Sequence, residues 1–210
     1  MPARVRPTFG ALLLVVIAQS AAAAAEEGFH SLFDGRSFAG WEGNQQVFRI
    51  KNGAIVGGSL ERPVVRNEFL CTRERFGDFE LRLKFKVLGN DVNAGVQFRT
   101  ERIPNHHEVK GYQADLGETN WGCLYDESRR RRQLAQTDQA AVKRVLKPGD
   151  WNRYVIRCQG PRIQLWINDF LTADYTERDA SIPQRGIIGV QIHGGPPSEA
   201  WYKDIRIKPL

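Results

Sequence analysis

The sequence predicts an all-β sandwich or barrel in one domain. Two observations carry this. Short segments of about five to nine residues alternate apolar and polar side chains, and Gly, Asn, Asp or Pro separates them at even spacing. No long stretch has helical periodicity, and no Pro/Gly/Ser linker divides the chain.

The N-terminus is set apart first. Arg4 and Arg6 precede the apolar run ALLLVVIA, from Ala11 to Ala18, and small residues continue to Ala25. This is the pattern of a cleaved export signal, 1–25, and predicts a periplasmic or secreted protein. The run falls short of the about 20 apolar residues that a membrane span needs. No Cys follows the small residues to carry a lipid anchor, so no stable membrane insertion is expected after cleavage. The remainder, 28–210, is large enough for one domain with its own core.

Along that remainder GFHSLFDGRSFAGW comes first. Then follow VFRIKNGAIVGG, FLCTRERFGDFELRLKFKVLG, AGVQFRT, YQADLG, WGCLYD, WNRYVIRCQG, RIQLWIND, GIIGVQIHGG and WYKDIRIKPL. The strand from Phe79 to Val87 is the clearest. Phe79, Leu81, Leu83, Phe85 and Val87 share one face, and Glu80, Arg82, Lys84 and Lys86 share the other. KNG at Lys51–Gly53 and CQGPR at Cys158–Arg162 read as hairpin turns. Gln133 to Val145 is the one segment expected to be helical or irregular.

Composition narrows the function. The three cysteines, Cys71, Cys123 and Cys158, form neither a disulfide framework nor a CxxC zinc pattern, and read as small buried hydrophobes. Net charge is +6, and about +4 without the leader arginines. The run Arg129–Arg132 reads as a solvated loop. No helix-turn-helix, zinc-finger or RNP pattern supports nucleic-acid binding. Neither GxSxG, a P-loop nor a dinucleotide-binding glycine fingerprint occurs, so no nucleotide cofactor is expected. His106-His107-Glu108 lacks the spacing of a zinc protease. A hard divalent cation held by carboxylates stays open.

Three strands carry polar pairs at i, i+2. Gln97 and Arg99 lie opposite Val96 and Phe98. Gln113 and Asp115 lie opposite Tyr112, Ala114 and Leu116. Gln191 and His193 lie opposite Val190 and Ile192. Side by side, such strands would form one polar floor, richer in amide and ionisable groups than an ordinary wet face. Such a floor suits a sugar: Gln97, Gln113 and Gln191 can bond hydroxyls, and Trp121 and Trp166 can stack on ring faces.

At LFDGRSFAGW, FGDFELRLKFK, NAGVQFR, VKGYQADLG, WGCLYDE, GDWNRYVIRCQGPRIQLWIND, GIIGVQIHGG and YKDIRIKPL the chain resembles the 3-keto-disaccharide hydrolase family. The resemblance implies a concanavalin A-like jelly-roll β-sandwich. It also implies 3-keto-glucoside 1,2-lyase and 3-keto-2-hydroxy-glucal hydratase chemistry on an oligosaccharide or glycoside. A separate sugar 3-dehydrogenase would install the ketone. Ala94 and Cys123 depart from a family preference for Ser, and Asn168-Asp169 from Asn-Gly. In this chemistry His193 or Asp115 would be the base, Arg99 with Gln97 the enolate stabiliser, and Tyr125 or Glu127 the acid. A non-catalytic carbohydrate-binding module is the alternative, and a surface-interaction domain using the arginine run is a third reading. The ionisable His–Asp–Arg set favours the enzyme.

Overall fold

The computed structural model describes residues 27–210; the predicted leader, 1–25, lies outside the described residues. In chain order the elements are β1 (His30–Ser31), β2 (Trp41–Glu42), β3 (Phe48–Lys51), β4 (Ala54–Ser59), β5 (Glu68–Phe76), β6 (Phe79–Gly89), β7 (Asn93–Arg102) and β8 (Val109–Gly117). They continue with β9 (Leu124–Glu127), β10 (Arg132–Ala135), α1 (Gln139–Val145), β11 (Asn152–Gln159), β12 (Arg162–Ile167), β13 (Phe170–Thr176), β14 (Gly186–Ile192) and β15 (Ser198–Pro209).

All pairings are antiparallel and build two sheets. The first runs β13-β12-β11-β6-β15-β4-β3, with β1 also on β15; the second runs β10-β9-β8-β7-β14-β5-β2. This is the expected jelly-roll sandwich. Alternation along β6 places Phe79, Leu81, Leu83 and Phe85 in the core, against Leu70, Val96, Phe98, Ala114, Val190 and Ile192 of the second sheet. Burying each large side chain contributes roughly 1.5–3 kcal/mol before the entropic cost of ordering it. Both hairpins form as read. Asn52 and Gly53 take positive φ between β3 and β4, and Gly160 does so between β11 and β12.

The expected irregular segment resolves into β10 and α1, whose N-terminus Asp138 caps by accepting from Ala140 and Ala141 amides. β13 was not foreseen: FLTADYT alternates poorly, and a bulge at Leu165/Trp166 breaks its register with β12. All three cysteines are unbridged and buried, and desolvation pushes Cys71 and Cys158 up to about 12.

The arginine run is only half solvated: Arg131 and Arg132 are exposed, but Arg129 and Arg130 are not. Arg129 and Arg130 both donate to the fully buried Asp126, Arg130 also binds Glu177, and the Arg129 guanidinium lies 4.6 Å from the Tyr112 ring centre. Burial alone would raise Glu177, but hydrogen bonds from Arg130 and Tyr112 outweigh it and hold Glu177 at about 2. The run therefore ties the β9–β10 turn to the segment after β13.

Candidate active site

The face of the second sheet turned away from the core carries the polar floor. Register makes it continuous. Gln97 on β7 stands opposite Gln113 on β8 and Gly189 on β14, and Gln113 stands opposite Tyr125 on β9. One row along, Gly95 separates Asp115 from Gln191. Phe98, Ala114 and Ile192 point the other way, as alternation requires, and are fully buried.

The floor side chains are spent on one another in a directed chain. Thr100 Oγ1 lies 3.2 Å from Gln97 Oε1, Gln97 Nε2 donates to Gln113 Oε1, and Gln113 Nε2 donates to Asp115 Oδ1 at 2.6 Å. Each amide is thereby fixed in orientation, and the chain ends on a carboxylate. Gly95 makes room for it: a Cβ there would stand 2.6 Å from Gln113 Cδ. The backbone beneath is anchored through the core. Tyr154 of β11 reaches the Asp115 carbonyl at 3.4 Å, and Tyr202 of β15 donates to the Gln191 carbonyl at 2.6 Å.

Asp115 is only 4% exposed. Desolvation raises it to about 7, against the Gln113 bond, with the Glu127 charge adding to the rise. Glu127 is raised chiefly by burial, then by Glu108, while His193 and Ser128 oppose the shift. Gln191 Nε2 lies 3.4 Å from Glu127 Oε2, and the buried Gln191 Oε1 has no partner among the described residues. It is an acceptor left for a ligand hydroxyl or water. Tyr125 and His193 are partly open at the margin. His193 Nδ1 lies 2.7 Å from the Gly194 carbonyl, so in the neutral ring Nδ1 carries the proton and Nε2 accepts.

Three expected residues do not join the floor. A bulge between Phe98 and Glu101 puts Arg99 at φ 46° and turns its side chain out of the row. Its guanidinium is buried against Gly77 O at 3.1 Å, Gly160 O at 2.7 Å and Asp78 Oδ1 at 2.7 Å, where it clamps the two sheets together. Arg99 and His193 therefore do not share a face. The floor does not depend on Arg99: direct bonds join Gln97, Gln113 and Asp115, and another joins Gln191 to Glu127. Trp166 lies on β12 of the other sheet, alternating with the core residues Leu165 and Ile167, and so faces outward there. Trp121 stacks on the core ring of Phe85 at 6.2 Å instead of walling the groove.

One contributor was missed. Glu108, at the end of the 103–108 loop, accepts from Ser128 Oγ at 2.6 Å, and Ser128 also lies 3.4 Å from Glu127 Oε1. The HHE run was its signal, but only the fold brings that loop beside Glu127. Among the described residues, no three His, Cys, Asp or Glu side chains are grouped to hold a metal ion.

Arg99→Ala should consequently behave as a structural lesion. It removes the Arg99 donor from two carbonyls and from Asp78, which keeps only the Gly160 N–H, a loss of roughly 2–3 kcal/mol with Asp78 partly solvated. A thermal melt should show the drop, while turnover per folded molecule stays near wild type.

The fold is thus a jelly-roll sandwich with one face lined by amide and carboxyl groups. The chain belongs to the 3-keto-alpha-glucoside-1,2-lyase-like domain family, whose model matches residues 28–208. Solved structures share the fold. A putative glycosyl hydrolase from Parabacteroides distasonis ATCC 8503 is 19% identical with a TM-score of 0.68, over 88% of this chain and 94% of that one. The carbohydrate-binding module CBM66 from Bacillus subtilis is 13% identical with a TM-score of 0.63, over 80% of this chain and 95% of that one. A Bacillus subtilis protein of unknown function with a galectin-like fold has 12% identity and a TM-score of 0.62, over 81% and 90%. No curated protein sequence matches the chain.

Proposed function

We propose that this protein cleaves 3-keto-glycosides by elimination across C1–C2 followed by hydration. The observation that carries the reading is Asp115, a nearly buried carboxyl at about 7, oriented by Gln113 and adjoining Glu127. A ketone at C3 acidifies the C2 proton. Asp115 takes that proton, and the electron pair passes into the C3 enolate. The pair returns to form C1=C2 as the C1–O bond breaks, and Glu127, whose hold on its proton burial strengthens, gives a proton to the leaving oxygen. Water then adds at C1 and a proton returns to C2, releasing the free 3-keto sugar. In this reading Tyr125 donates to the enolate oxygen, and Gln191 Oε1 accepts a sugar hydroxyl. Gln97 and Gln113 hold Asp115 in place with one amide N–H each, and the second N–H of each amide is left for the sugar. No glycosyl-enzyme bond forms, unlike the retaining glycosidases. A separate sugar 3-dehydrogenase supplies the ketone, and no nucleotide cofactor is needed.

The test is incubation of the purified protein with 3-keto-trehalose and 3-keto-lactose beside the unoxidised sugars. Only the keto sugars should be cleaved. Binding of either class without cleavage would instead describe a binding module. The rate should rise with pH through about 7, because the base works only when ionised. Stability runs the opposite way. Asp115 binds its proton more tightly folded than unfolded, so the chain loses stability as pH rises from about 4 to about 7. Asp115→Asn should remove that slope in thermal melts.

Export completes the reading. The intact mass of the protein recovered from outside the cytoplasm should begin near Glu26, and a mass retaining residues 1–25 would contradict it.

A further inference from the structure

The outer face of the first sheet, opposite the proposed catalytic face, carries cations in cross-strand register. Lys203 on β15 stands opposite Lys84 on β6, which stands opposite Arg153 on β11. The next row sets Arg206 against Arg82. Directly opposed like charges destabilise an antiparallel pair. Lys84 has Asp204 at 2.9 Å and Arg153 has Asp169, both solvent-exposed and weak pairs, while Arg82 is paired with the mostly buried Glu80.

Beside these rows, aromatic rings gather further lysines. Lys86 Nζ lies 4.5 Å from the Trp201 ring centre and 5.0 Å from that of Trp151. Lys203 Nζ lies 4.1 Å from Trp151, and Lys51 Nζ 5.6 Å from Trp201. Among the described residues, none of these three ammonium groups has a carboxylate within the 4.0 Å of an ion pair. The arrangement is built from below: the buried Glu199 accepts from Trp201 Nε1 at 2.8 Å and pairs with Arg49, fixing the ring on which Lys86 and Lys51 rest. Between Trp151 and the Lys84 row lies a cavity of about 440 Å³, also bordered by Lys147.

We propose that this face is a second, non-catalytic binding surface for an acidic polysaccharide, laid across the strands with its carboxylates on the lysine and arginine rows. The ordered lysines reduce the entropy lost on binding, since the rings already hold them. Partly exposed Trp166 borders the rows and offers a ring face to sugar C–H groups, while Trp151 holds Lys86 and Lys203. An anionic membrane fits less well, because large apolar side chains scarcely protrude on this face; Leu171 at 45% exposed is the main one. The surface is independent of the proposed catalysis: it shares no residue with the floor.

The test is affinity electrophoresis of the protein in gels containing polygalacturonate, dextran, single-stranded DNA or no polymer, each at low and high salt. Polygalacturonate should retard the wild type, dextran should not, and salt should relieve the retardation. The Lys86→Gln/Lys203→Gln double variant should bind about tenfold more weakly, as fewer counterions are released. Lys86→Arg/Lys203→Arg and Asp115→Asn should bind like wild type. Absence of retardation by polygalacturonate, equal or tighter binding of DNA, or an unaffected Gln double variant that melts normally would each overturn the proposal. None of these outcomes bears on cleavage of 3-keto sugars, which is read separately.

Discussion

Asp115→Asn should lower turnover of a 3-keto-glucoside by about 100- to 10,000-fold, the usual worth of a positioned general base. The substitution keeps the shape of the side chain. It keeps a group that can accept from Gln113, whose Nε2 meets Asp115 Oδ1 at 2.6 Å. It also keeps the backbone ties from Asp115 N to Cys123 O and from Gly122 N to Asp115 O, both 3.0 Å. Folding should therefore survive. Above about pH 7 the variant should melt higher than wild type, because it no longer carries a buried charge that desolvation disfavours. Activity lost with stability gained separates a base from a structural carboxylate. A merely structural Asp115 would lose both together.

The largest loss of stability is expected at Asp126→Ala. The Asp126 carboxyl is fully buried and receives Arg129 at 2.9 and 3.1 Å as well as Arg130. Removing it leaves two mostly buried guanidinium groups, of which only Arg130 keeps a carboxylate partner, in Glu177. Breaking such a pair from one side costs about 3–5 kcal/mol. For a domain of this size, that lowers the melting temperature by roughly 6–20 °C. A melt within a degree or two of wild type would show that the arginines find equivalent solvation elsewhere.

Much of the fold could be read in advance because alternation decides which side chain enters the core. Phe79 through Phe85 on β6 and the two hairpins followed from local sequence alone. Alternation also assigned Gln97, Gln113, Asp115 and Gln191 to one face. It could not say which sheet Trp166 would occupy, since both sheets have outward positions and pairing is non-local. Arg99 failed for a different reason. Strict alternation holds only while the pleat is unbroken, and one residue at positive φ in the Phe98–Glu101 bulge redirected the side chain. Nor does a face assignment reveal who uses the donors. Gln97 and Gln113 read as sugar ligands, and each also spends one amide N–H on its neighbour. Arg129 and Arg130 looked solvated because local sequence does not show that the nearby Asp126 is buried or that Glu177, 47 residues on, packs beside it.

The central claim is that Asp115 removes the C2 proton of a 3-keto-glycoside. Its most direct measurement is proton NMR of a 3-keto-glucoside in deuterated buffer near pH 8, with wild type and Asp115→Asn side by side. The wild type should release a 3-keto sugar carrying deuterium at C2, faster than the substrate exchanges unaided, and the variant should not. Cleavage by the wild type with the C2 proton fully retained in the product would contradict the account.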